Sequence, residues 1–147
     1  MFIVSTSILL AFIFSCNHTS ETTISAETNK SIQAIDTIFA GDRDTTILLN
    51  NGEALLKGHI TAHKTKLKYT IPAWEGQTVT AIVKPLKKGG NVRIHQVRKP
   101  DGASDGPFGD SISYAIKSNG NFIFIISENL MAGGHYTGDF ILHILVK

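Results

Sequence analysis

The chain has 147 residues, with 14 basic and 12 acidic side chains, a formal net charge of +2, six histidines and one cysteine. That length suits one domain with its own core. The small, scattered positive charge leaves no electrostatic footprint for nucleic acid, and a single cysteine excludes an intramolecular disulfide framework.

Residues 1–15 read Met-Phe-Ile-Val-Ser-Thr-Ser-Ile-Leu-Leu-Ala-Phe-Ile-Phe-Ser, without a charge, and Cys16 opens a polar stretch. An apolar run ending in a small residue predicts a signal peptide over 1–15. It is shorter than the roughly 20 apolar residues of a spanning helix. Residues 17–30 are rich in Thr, Ser, Asn and Glu. Such a stretch buries too little apolar surface to offset its ordering entropy, so 16–36 reads as a flexible tether. Residues 31–39 mix apolar and polar side chains, as a first strand or an extended lead-in would.

The tetrapeptide Ile13-Phe14-Ser15-Cys16 resembles the lipobox of bacterial lipoproteins. The resemblance implies cleavage before Cys16 and a diacylglyceryl anchor on its thiol. One acyl chain holds weakly, at about 0.8 kcal/mol per buried CH₂, so a further N-acyl chain of the palmitate kind would complete the anchor. The implied location is the bacterial envelope. Asn17, where Asp marks inner-membrane retention in some bacteria, points by analogy to the outer membrane.

From residue 45 onward short strand-like runs alternate with turn signals. Residues 45–49 are β-branched and apolar, and Asn50-Asn51-Gly52 is a turn, because Asn and Gly accept positive φ. Residues 54–62 follow. Over 66–73, Leu67, Tyr69, Ile71 and Ala73 share one face. Trp74-Glu75-Gly76 turns into 77–84, with Val79, Ala81 and Val83 on one face. Lys87-Lys88-Gly89-Gly90 turns again into 91–99, with Val92 and Ile94 inward and Arg93 and His95 outward. A polar loop over 100–109 precedes 111–117, where Ile112, Tyr114 and Ile116 alternate. Ser118-Asn119-Gly120-Asn121 is a tight turn. Residues 122–127 are apolar on both faces and read as a central strand, and a loop over 128–138 leads to 139–147. This pattern predicts an all-β fold over 37–147: a single jelly-roll-like β-sandwich of about eight antiparallel strands.

The order of signposts carries a family resemblance over residues 37–147. It runs through Gly58-His59-Ile60, Tyr69-Thr70-Ile71, Glu75-Gly76-Gln77-Thr78-Val79, Lys99-Pro100-Asp101-Gly102, Asn119-Gly120-Asn121-Phe122 and Tyr136-Thr137-Gly138-Asp139-Phe140. This resembles the pre-peptidase C-terminal domain family and the periplasmic inhibitors of invertebrate- and goose-type lysozymes. The resemblance implies a non-catalytic protein-binding module, with a lysozyme as a possible partner. In the inhibitors a Ser-Gly-x-Tyr-like turn enters the lysozyme cleft, aided by a basic residue beyond the next strand. The matching turn here is Asn119-Gly120-Asn121-Phe122, with serine displaced to Ser118 and no tyrosine hydroxyl. The stretch Met131-Ala132-Gly133-Gly134-His135 offers only His135 as a cation. The candidate partner-binding residues are therefore Asn119, Phe122, Asn129, Met131, His135 and Tyr136.

Asp101, Asp105 and Asp110 in a Gly-rich loop could hold calcium, although Asp is also a common turn former. Trp74 could stack on a sugar or pack over the end of the core. With Tyr114 or Tyr136 as further platforms, these residues give the alternative of a carbohydrate- or calcium-dependent glycan-binding module. A structural envelope lipoprotein is a third reading. His59 and His63 would lie about 13 Å apart on one strand, and no cysteine accompanies them, so no metal site is expected. Ser111, Ser113 and Ser127 sit in no nucleophile motif, so neither an enzyme nor a cofactor is expected.

Overall fold

A computed structural model describes residues 44–131 and 133–147 of the chain. The leader, Cys16, His18, the tether and residues 37–43 lie outside the described residues. Nine strands follow in order: β1 (Asp44–Thr46), β2 (Glu53–Ile60), β3 (Lys66–Ala73), β4 (Thr78–Pro85), β5 (Val92–Arg98), β6 (Ser104–Asp105), β7 (Ser111–Ala115), β8 (Gly120–Glu128) and β9 (Gly138–Val146).

They form two sheets, of order β2-β9-β4-β7 and β1-β3-β8-β5-β6. Leaving β1 aside, the arrangement is a jelly roll, with sheets 2-9-4-7 and 3-8-5-6. The expected sandwich is thus present, with two departures. β6 lies inside the stretch read as a polar loop, where Ser104 and Asp105 pair with Arg98 and Val97. β1 runs parallel to β3, with Thr45 opposite Tyr69. The chain crosses to the other sheet for β2 and returns for β3, so β1 and β3 point the same way.

The core is the shared inner face. Leu67, Tyr69 and Ile71 of β3, Val79, Ala81 and Val83 of β4, and Phe140, Leu142 and Ile144 of β9 are all buried, as their alternation predicts. β5 breaks strict alternation. A register shift between Ile94 and Gln96 makes His95 an extra residue against β8, so Val97 rather than Gln96 turns inward. β8 is central, between β3 and β5, and Phe124, Ile125 and Ile126 are all buried. Its nine residues also set the distance between the two ends of the sandwich, about 27 Å.

Candidate functional site

One end of the sandwich gathers three connections: 74–77 after β3, 116–119 after β7 and 99–103 after β5. Backbone donors tie them together. Glu75 N–H donates to Asn119 Oδ1 at 2.8 Å, Gly76 N–H to the Ile116 carbonyl at 3.0 Å, and Trp74 N–H to Gln77 Oε1 at 2.8 Å. Gly120 has φ +143°, and a Cβ there would lie 2.7 Å from Pro100 Cγ, so the turn admits only glycine without displacing the neighbouring connection. Trp74 does not cap the core. It is 57% exposed at the tip of its turn.

Beside this end, the edge of each sheet leaves a cleft of about 420 Å³, lined by Lys99, Asp105, Ser113, Tyr114, Lys117 and Phe122 among others. Tyr114 sits at its centre. Its hydroxyl donates to Asp105, and its ring meets Phe108, Phe122 and Phe124 edge-on at centroid distances of 6.2–6.5 Å. Burial, helped by that carboxylate, pushes the Tyr114 hydroxyl up to about 12. The same hydrogen bond, with Lys99 at 3.6 Å, holds the Asp105 carboxyl below its usual range. Among the described residues that line this cleft there is no histidine. Two lysines, a fixed carboxylate and an aromatic wall suit recognition of a polar partner.

The opposite end is organised by Glu128, the last residue of β8, whose side chain is 1% exposed. Its Oε1 accepts from His63 Nδ1 at 2.7 Å and from Lys64 N–H at 2.8 Å. Its Oε2 accepts from Tyr136 N–H at 3.0 Å and lies 3.6 Å from His135 Nδ1. The two imidazoles meet at 3.9 Å between centroids. Burial alone would raise the Glu128 carboxyl, but the two amide donors and His63 hold it down at about 2. Lys64 takes φ +65° in the 62–65 turn, which aims its N–H at the carboxylate.

The structure splits the residues that sequence groups together. Asn119 and Phe122 belong to the first end, and Asn129, Met131, His135 and Tyr136 to the second, about 27 Å away along β8. The Phe122 and Tyr136 side chains are core residues, 1% and 3% exposed, rather than surface contacts. The Tyr136 hydroxyl donates inward to the Asp139 carbonyl at 2.6 Å. Asn91 amide donors hold the 129–134 segment through the carbonyls of Asn129 and Gly134, and Met131 is 86% exposed. The three aspartates do not converge. Asp101 accepts from Ala103 N–H at 2.9 Å, Asp105 from Tyr114, and Asp110 from the Ser111 hydroxyl at 3.3 Å. His59 pairs with Asp139 and His143 with Glu53. Sequence reasoning weighed His63 only against His59 and passed over Glu128. The apolar stretch preceding a lone Glu at a strand end was the available signal, because a carboxylate carried inward by a core strand needs partners.

No family model matches the sequence, and no curated protein matches it. Solved structures share its fold, three of them periplasmic lysozyme inhibitors. The Aeromonas hydrophila PliG, a periplasmic inhibitor of g-type lysozyme, has 19% identity and a TM-score of 0.55 over 71% of this chain and 96% of its own. The Salmonella Typhimurium PliG has 14% identity and a TM-score of 0.50 over 71% and 98% of the two chains. A mutant of the Escherichia coli PliG has 16% identity and a TM-score of 0.50 over 71% and 97%. The likeness is one of fold, and it spans nearly the whole of each of those chains.

Proposed function

We propose that this chain is a non-catalytic envelope protein whose sandwich binds a protein partner, in the manner of a lysozyme inhibitor. The observation that carries this reading is the jelly-roll sandwich it has in common with three inhibitors of g-type lysozyme. The 118–122 turn and the exposed Trp74 supply the contact end. An exposed indole beside a rigid turn is the kind of anchor that dominates interface energetics. Lys117, next to the turn, supplies a permanent cation where the 131–135 stretch offers only His135, and a cation suits an acidic catalytic cleft. The leader supports export, and Cys16 would hold the module at the membrane, with the tether giving it reach.

Titration against goose-type, invertebrate-type and chicken-type lysozymes tests the reading, by calorimetry and by cell-wall lysis. Binding to at least one is expected, weakened by Trp74→Ala and by Lys117→Glu. Absence of binding to all three at micromolar concentrations refutes it. A Cys16→Ser chain should leave the membrane fraction, and retention there refutes the anchor.

The exposure of Trp74 also favours a second reading, in which the indole stacks on a sugar. Trp74 is the only tryptophan, so its fluorescence reports that site alone. A saturable change with peptidoglycan fragments supports the glycan reading, and a flat titration removes it.

A further inference from the structure

We propose that His63, Glu128 and His135 bind a divalent transition-metal ion of the zinc type, which pins the 62–65 turn and the 129–137 loop to the end of β8. The donor set is the first argument. Two imidazole nitrogens and one carboxylate oxygen are ligands that zinc takes, and calcium, which wants six to eight oxygens, does not. The second argument is distance. One ligand atom from each residue lies within 4.8 Å of the others. Tetrahedral ligands about 2.0–2.1 Å from zinc stand about 3.3 Å from one another. His135 Nδ1 stands 3.6 Å from Glu128 Oε2, close to that value. His63 Nδ1 stands 2.7 Å from the other oxygen, Oε1, a contact that must open by about half an ångström as the ion displaces the hydrogen-bonding proton, with one carboxylate oxygen facing each imidazole.

The third argument is preparation. Glu128 is buried and its orientation is fixed by the N–H groups of Lys64 and Tyr136, which act as an outer shell for the ligand. The histidines are the exposed half. Their side chains are 41% and 67% exposed, which gives the ion an entry path and leaves a fourth position facing solvent. The other paired histidines lack this equipment. His59 shares Asp139 with Lys57, and His143 meets Glu53 alone among the described residues. The three ligands come from three separated stretches of chain, so an ion here ties the loops at this end together. The lysozyme reading does not depend on it.

Calorimetric titration of Zn²⁺ into the full chain, stripped with a chelator and dialysed, tests the site. One ion should bind per chain, with a rise in melting temperature, while Mg²⁺ gives neither. His63→Ala and His135→Ala should each weaken Zn²⁺ binding by about tenfold or more. His59→Ala and His143→Ala should leave it unchanged. Both histidines reach the surface, and either variant leaves Glu128 its two amide donors, so these variants fold even where Glu128→Gln does not. No saturable Zn²⁺ binding overturns the proposal, as does equal affinity in the His63 and His135 variants.

Discussion

Replacing Glu128 probes the end of the sandwich where a carboxylate is buried on purpose. In Glu128→Ala the Tyr136 N–H, buried, loses its acceptor, and an orphaned buried donor costs about 1–3 kcal/mol. The Lys64 N–H lies in an exposed turn where water can serve it, so its loss, with that of the His63 bond, adds about 1 kcal/mol. The sum is about 2–4 kcal/mol, or about 8–20 °C in melting temperature for a domain of this size. Glu128→Gln recovers less than half of this. Its single carbonyl oxygen can serve either the Lys64 side or the Tyr136 side, and its NH₂ then faces a donor. Urea unfolding followed by far-ultraviolet circular dichroism, with chelator present, measures both. If both variants stay within about 0.5 kcal/mol of the parent, the carboxylate is not holding the loops and the reasoning fails.

The remaining predictions use other parts of the same geometry. Gly58→Ala should destabilise by about 1–3 kcal/mol through overpacking, because a Cβ there would lie 2.3 Å from the Phe140 ring and 2.5 Å from the Tyr69 hydroxyl; an unchanged urea midpoint counts against that packing. The three tyrosines should resist alkaline titration in the folded chain, since burial raises all of them and Tyr114 reaches about 12; an absorbance step near pH 10 before unfolding contradicts this. Acid should weaken the fold through Glu128. Its folded value of about 2 lies below the ordinary 4.5, so its contribution is present above 4.5 and lost as pH falls toward 2. Stability of the parent should therefore fall more steeply than that of Glu128→Gln between about pH 5 and 2, and parallel curves refute the assignment.

Much of the architecture was legible along the chain because a strand needs only a period of two and a stop. Leu67 to Ala73, Val79 to Val83 and Phe140 to Val146 show that period without interruption, and their inner faces are buried as read. The Gly76 and Gly120 turns were legible for the same local reason, since positive φ selects glycine whatever lies nearby. β6 was not, because two polar residues carry no period and their pairing depends on β5 being beside them. The bulge at His95 was hidden too. It is a mismatch between two strands and leaves no mark on either alone.

The candidate sites were less legible than the fold. The resemblance to the inhibitors brought Asn119 and His135 into one candidate surface, yet β8 holds their loops at opposite ends. The sequence left Trp74 open between core and surface, and the tertiary structure leaves the indole exposed because its turn projects past the strand ends.

By itself, the sequence determined an all-β sandwich and the inner face of most strands. These follow from local pattern: alternation, turn residues and a run of apolar side chains. Only the tertiary structure decided that Glu128 meets His63 and His135, and that Tyr114 closes on Asp105 across two sheets. Contacts between residues as far as 65 positions apart depend on how strands are ordered in a sheet, and no local period encodes that order.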